Sequence, residues 1–270
     1  DKYVDTKLKL LINTYQYLTK GIERHPVKIT TFVEAPPGSG LGSSSALVVA
    51  LISAIAEYYS IPLGEYDIAE YAVEIERNIC NLPGGKQDQF AAAFGGFNFI
   101  EFLPDGRTIV NPLRLNFKTQ NMLELSTVLY YVGKPRMSER VIENTAQNLL
   151  NNDEATLQAT HRIKSAAIEY KRSLLLGDVD KICETMNTYW KNKIQTNEKV
   201  VSPELLDSYE FALKNGAKAA KISGAGGGGH MILFTDFERR HQLISALKER
   251  NVGRVVPFKF VKHGVDVWRV

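Results

Sequence analysis

Two cysteines, Cys80 and Cys183, are all that 270 residues contain. Far apart and without a second pair, they exclude a disulfide framework and a cysteine-ligated metal site, and they fit a reducing, cytoplasmic setting. Charge of one sign is missing too: 33 basic and 30 acidic side chains leave a formal net charge of +3. No basic stripe of the kind that tracks a phosphodiester backbone results, so no nucleic-acid partner is expected. No apolar run approaches the roughly 20 residues needed to span a bilayer, and Asp1-Lys2-Tyr3-Val4 lacks the charged and apolar regions of a signal peptide. A soluble, unexported chain with no membrane partner is the expectation. The start also lacks an initiator methionine and opens on the approach to an amphipathic helix, which suggests residues upstream.

What is present is an ordinary globular composition, 44% hydrophobic, enough for one large domain or two modest ones. Leu8, Leu10, Leu11, Tyr15 and Leu18 recur at helical spacing, and β-branched alternation over 27–33 then predicts a strand. A glycine-rich loop, 35–42, delivers the chain into a helix over 46–59. A further helix is expected over 63–80, a turn at Leu82-Pro83-Gly84-Gly85, and strands near 97–102 and 128–132. From Ser138 to about Asn215 the pattern is helical, broken at 151–153 and 177–178, as in an antiparallel bundle. Mixed structure returns at the end: strand 231–234, helix 237–250 and a closing strand 255–261. The fold class expected is α+β, in two packed regions, 1–138 and 139–270, divided by role rather than by a flexible joint.

The loop is the first chemical signal. An anion binds well where several backbone N–H groups converge at a helix N-terminus, because unpaired donors and the helix dipole both favour negative charge. Pro36 and Pro37 stiffen the entry, Gly38, Gly40 and Gly42 allow close approach, and Ser43, Ser44 and Ser45 supply hydroxyls that can reach a metal. Ser39 and Leu41 complete the segment. No lysine precedes Ser43, which argues against a Walker A loop, and Gly-x-Gly-x-Gly departs from the dinucleotide fingerprint. A serine-capped glycine turn is the bland alternative. Pro-Pro-Gly-Ser-Gly-Leu-Gly-Ser-Ser-Ser-Ala, residues 36–46, resembles the phosphate-binding motif of GHMP kinases, the superfamily of galactokinase, homoserine kinase and mevalonate kinase.

That resemblance implies ATP as phosphate donor and a magnesium ion, and phosphoryl transfer then calls for carboxylates near the loop. It implies Glu76, with Ser44, as metal ligands and Asp88, in Gly-Gly-Lys-Gln-Asp-Gln-Phe, as the base. Glu76 could instead be an exposed helix carboxylate paired with Arg77, with Glu74 as its rival, and Asp88 could simply cap a helix. Lys86 either offsets phosphate charge or is solvated, and Gly84 and Gly85 are expected to support the substrate. A second cluster, Ser223-Gly224-Ala225-Gly226-Gly227-Gly228-Gly229-His230, resembles the third GHMP motif. Gly224, Ala225, Gly226 and Gly227 are thereby expected beside the phosphate loop, whereas His230 reads as a packed residue outside the site.

The likeness extends over essentially the whole chain. Stretches 62–69, 84–99 and 110–114 are similar to D-glycero-D-manno-heptose 7-phosphate kinases, which implies a ribosomal-protein-S5-like N-terminal part, a helix-rich ferredoxin-like C-terminal part, and a sugar phosphate as acceptor. The first GHMP motif has no counterpart, so a chain starting at Asp1 is expected to bind substrate poorly. Another acceptor, or a sensor of this fold without turnover, stands as the alternative. Oligomeric state is not legible.

Overall fold

The computed structural model describes residues 8–35, 38–133, 138–196, 201–224 and 226–270. The chain forms two compact units, one of Asp1–Pro37, Gly42–Pro112 and Val261–Val270, the other of Gly38–Leu41 and Leu113–Phe260.

In the first unit, α1 (Lys9–Leu18), α2 (Ser43–Tyr59) and α3 (Glu65–Val73) share one apolar core. Helix α2 is central because it is apolar on most sides: Val48, Val49, Ile52, Ile55 and Ala56 are all buried. After α3 the chain widens into a π-helical turn, Glu74–Ile79, so the helix expected over 63–80 is present but not uniform. Helix α4 (Gln87–Phe94) buries Gln89, Phe90 and Ala93. Strands β1 (Asn98–Phe102) and β2 (Thr108–Pro112) form an antiparallel hairpin with Ile100 opposite Val110. The stretch 27–33 is not the strand that its alternation predicts. It runs without a ladder partner among the described residues, and Phe32 is 85% exposed. Side-chain alternation gives propensity, but a strand exists only by pairing.

The second unit opens with α5 (Phe117–Ser126), started by Asn116, whose side chain accepts from the Thr119 N–H at 2.8 Å. Strand β3 (Thr127–Gly133) follows, then α6 (Ser138–Leu150), α7 (Glu154–Leu176), α8 (Val179–Gln195) and α9 (Pro203–Lys214). The breaks at 151–153 and 177–178 fall where the sequence places them, because Asp153 and Asp178 cap the next helices, accepting from Thr156 N–H at 2.8 Å and Lys181 N–H at 3.0 Å. Strands β4 (Ala217–Ile222), β5 (Gly229–Thr235) and β6 (Arg254–Val256) join β3 in an antiparallel sheet ordered β4-β5-β3-β6. Between β5 and β6, a 3-10 turn, Phe237–Arg239, precedes α10 (Arg240–Arg250). The closing strand expected over 255–261 stops at Val256, since Pro257 offers no N–H to extend the ladder. Trp190, Tyr130, Met231, Leu233, Leu243 and Leu247 make up the core.

Candidate active site

In the first unit the site is built on the start of α2. Gly42 precedes the helix in the left-handed conformation, at φ 68°, and makes no side-chain cap, leaving the first-turn N–H groups of Ser43, Ser44 and Ser45 without intrahelical acceptors. Glu76, only 2% exposed, lies beside this turn and accepts from Ser44 Oγ at 2.9 Å, Ser45 Oγ at 2.7 Å and the Gln89 side-chain amide. Of the two rival glutamates, Glu74 accepts from its own helix neighbour Asn78 instead. A buried carboxylate held by three side-chain donors has its oxygens satisfied, and it is aimed rather than free. Ser44 is exposed and Ser43 half-buried while Ser45 is buried, so of the two serines on Glu76 it is Ser44 that faces outward.

Asp88 sits in the first turn of α4 against the backbone of Gly42, where a Cβ on the glycine would come within 3.1 Å of its Cγ. Its side chain reaches solvent, yet partial burial pushes its carboxyl above the usual carboxylate range. Glu76 adds to that rise and Arg77 opposes it. Arg77 also holds the preceding turn, donating to the carbonyls of Gly85 at 3.0 Å and Leu82 at 3.2 Å. Gly84 and Lys86 line a cavity of about 600 Å³ with Glu70, Glu74 and Arg77. Lys86 Nζ is 3.4 Å from the Gly106 carbonyl, and Gly85 is exposed.

In the second unit, Gly38–Leu41 runs against the second glycine cluster, backbone to backbone. Ser223 Oγ donates to the Gly40 carbonyl at 2.8 Å, and a Cβ on Gly40 would lie 2.9 Å from the Ser223 carbonyl oxygen. His230 is 2% exposed, and both its backbone N–H and Nδ1–H donate to the Ser39 carbonyl, at 3.1 and 2.9 Å. Packed as the sequence suggests, it nonetheless fixes the loop. Gly224 belongs to this wall, since a Cβ on it would lie 3.1 Å from the Gly40 Cα; Gly226 and Gly227 follow in the same cluster, whereas Pro37 and Ala225 lie outside the described residues. Sequence reasoning missed Gln89, although its helical spacing to Ala93 on the buried face of α4 was a signal, and it missed the clamp made by Arg77.

Models of the GHMP kinase N-terminal domain match residues 8–96, and of the C-terminal domain residues 170–253. The D-glycero-alpha-D-manno-heptose 7-phosphate kinase of Campylobacter jejuni is 41% identical over 98% of this chain and 78% of its own length. The chain belongs to the GHMP kinases. Among solved structures, a D-glycero-D-manno-heptose 1-phosphate kinase from Bacteriodes thetaiotaomicron matches at 35% identity with a TM-score of 0.81, covering 99% of this chain and 76% of that one. Lactococcus lactis galactokinase complexed with galactose, at 17% identity and TM-score 0.69, covering 98% of this chain and 77% of its own, shares the fold. This GHMP kinase is therefore an ATP-dependent phosphotransferase of the sugar-kinase type, with a small-molecule acceptor.

Among the described residues no cluster of three or more His, Cys, Asp or Glu occurs, and no helix is long and apolar enough to cross a membrane. A magnesium ion that arrives with nucleotide phosphates needs one or two hard oxygen donors rather than a cage. Ser44 Oγ and Glu76 Oε1, 2.9 Å apart, fit that demand.

Proposed function

We propose that this kinase transfers the terminal phosphate of ATP to the anomeric hydroxyl of D-glycero-D-manno-heptose 7-phosphate, giving the 1,7-bisphosphate. Identity of 41% over nearly the whole chain to a kinase named for that acceptor carries the choice of substrate. Placement of the buried Glu76 carboxylate on Ser44, with Asp88 beside Gly42, supports the chemistry.

In this reading the segment 37–45 holds the nucleotide phosphates through backbone N–H groups and serine hydroxyls, and residues 224–227 support it. Ser44 and Glu76 hold Mg2+, which when bound supplies charge neutralisation on the phosphates. Asp88 orients the acceptor hydroxyl and receives its proton as the new bond to phosphorus forms. Its raised affinity for a proton suits that role, since a base is effective when its proton affinity approaches that of its surroundings. Gly84, Gly85 and Lys86, in the turn before α4, support the acceptor in this reading.

The test is ADP release from the full-length protein with Mg-ATP and, in parallel, heptose 7-phosphate, heptose 1-phosphate, galactose, mannose, fucose and mevalonate. Turnover on the 7-phosphate alone, with two phosphorus signals in the product, is expected. Preference for the 1-phosphate would reassign the acceptor to the kind named for the Bacteriodes structure. ATP binding without turnover on any acceptor would point to a sensor.

A further inference from the structure

Two lysines of the second unit break the pattern set by their neighbours. On α8, Lys181 is 40% exposed and pairs with Glu184 at 2.9 Å, and on β4, Lys218 is 38% exposed and pairs with Asp180 at 3.1 Å and Asp236 at 2.7 Å. Lys193 and Lys221, further along the same helix and the same strand, are half-buried, and neither has an ion-pair partner among the described residues. For stability alone the arrangement is backwards, because a buried cation needs a counter-charge more than an exposed one does.

The two are brought to one place. Helix α8 packs on β4, and Lys221 Nζ lies 4.5 Å from the centre of the Tyr189 ring. Lys193 is one helical turn beyond Tyr189, so the two side chains are neighbours on α8. Burial lowers the affinity of Lys221 for its proton to about 8, with the positive charge of Lys193 adding to the effect, and burial lowers that of Lys193 as well. Tyr189 is kept protonated by its own burial. Strand β4 then runs on to Ser223, whose hydroxyl holds the Gly40 carbonyl. Two desolvated ammonium groups and a phenol thus stand near the head of the glycine cluster with no counter-anion among the described residues.

We infer that Lys193 and Lys221, with Tyr189 beside Lys221, bind the phosphate monoester of the sugar-phosphate acceptor and so select it over unphosphorylated sugars. The inference rests on the sugar-phosphate kinase reading above. A dianionic phosphate fits two cations and a hydroxyl donor, whereas a neutral sugar would leave both charges uncompensated.

Two measurements test it on the full-length protein. In the first, Lys221→Met and Lys193→Met, which keep the aliphatic stems, are compared with the wild type for KM of the sugar phosphate, KM of ATP and kcat. The acceptor KM is expected to rise about 10- to 100-fold per lysine, as for loss of a charged hydrogen bond, with ATP KM and melting temperature unmoved. A rise in ATP KM instead, or no change in either, overturns the site. In the second, inorganic phosphate is titrated into lysine-13C-labelled protein without substrates. Shifts confined to Lys193 and Lys221, absent in the variants, support the site even if no sugar phosphate turns over, so the two readings fail separately. Resonances of these lysines that stay fixed at saturating phosphate overturn it.

Discussion

The two units place opposite charge out of water. Around α2 the sheltered charges are carboxylates: Glu76 is buried yet held by Ser44, Ser45 and Gln89, and Asp88 is half-sheltered beside it. In the second unit two half-buried lysines, Lys193 on α8 and Lys221 on β4, have no ion-pair partner among the described residues. A satisfied buried charge is positioned for a standing task, while an unsatisfied one waits for a ligand to complete it. Reading satisfaction rather than burial separates groups that shape the protein's own site from groups that select what enters.

The sharpest way to break this contrast is Asp88→Asn. Turnover should fall ~10²- to 10⁴-fold, the usual worth of a positioned acid or base, with melting temperature and ATP affinity unchanged. A near-normal kcat would take Asp88 out of the chemistry. Next in size is Gly229→Ala. Its Cβ would lie 2.3 Å from the Ser39 carbonyl oxygen at a φ of +90°, so thermal unfolding should show a loss of about 1–3 kcal/mol. An unmoved transition would mean that the two glycine segments do not depend on their close contact.

Gln89→Leu probes satisfaction itself. Glu76 loses one of its donors, and stability should drop by about 1 kcal/mol. The magnesium concentration for half-maximal rate should rise alongside it, and equal magnesium curves would separate Gln89 from the metal site. The smallest effect concerns an exposed cap. Hydrogen bonds from Thr156 hold the Asp153 carboxyl below its ordinary range. Its contribution is therefore complete above the unfolded carboxylate range and fades as pH falls through the lowered value. Asp153→Asn keeps an oxygen acceptor and should flatten that part of the melting-temperature profile between neutral and acid pH.

How much of this the sequence discloses depends on whether a feature is local. Helix α2, the helical stretch after Ser138 and its breaks are written in spacing and in Asp and Gly residues, and they are found where expected. Glu76 and Asp88 could be named as candidates because the resemblance to GHMP kinases places a glutamate and then an aspartate after the glycine loop, and their roles remain part of the proposal. The stretch 27–33 and the end of β6 were misread because pairing is a property of two strands, and only one is visible in a local pattern. Gln89, Arg77 and the lysine pair were hidden for a related reason. Their meaning lies in partners 13 residues away for Gln89, or, for the lysines, in the lack of an ion-pair partner among the described residues. The two compact units also interleave along the chain at Gly38, Gly42, Leu113 and Val261, whereas the division read at residue 138 is one of role.

The unpaired stretch 27–33 has a practical side. Val27, Ile29 and Val33 are each about two-fifths exposed, beside the more open Phe32, and the backbone between them carries amide groups that no ladder occupies among the described residues. Such an edge recruits whatever strand is nearest, including the same stretch of another molecule. Seven residues remote in sequence from every carboxylate discussed above therefore offer a surface for self-association, and Phe32→Lys should lower any concentration-dependent association seen by light scattering.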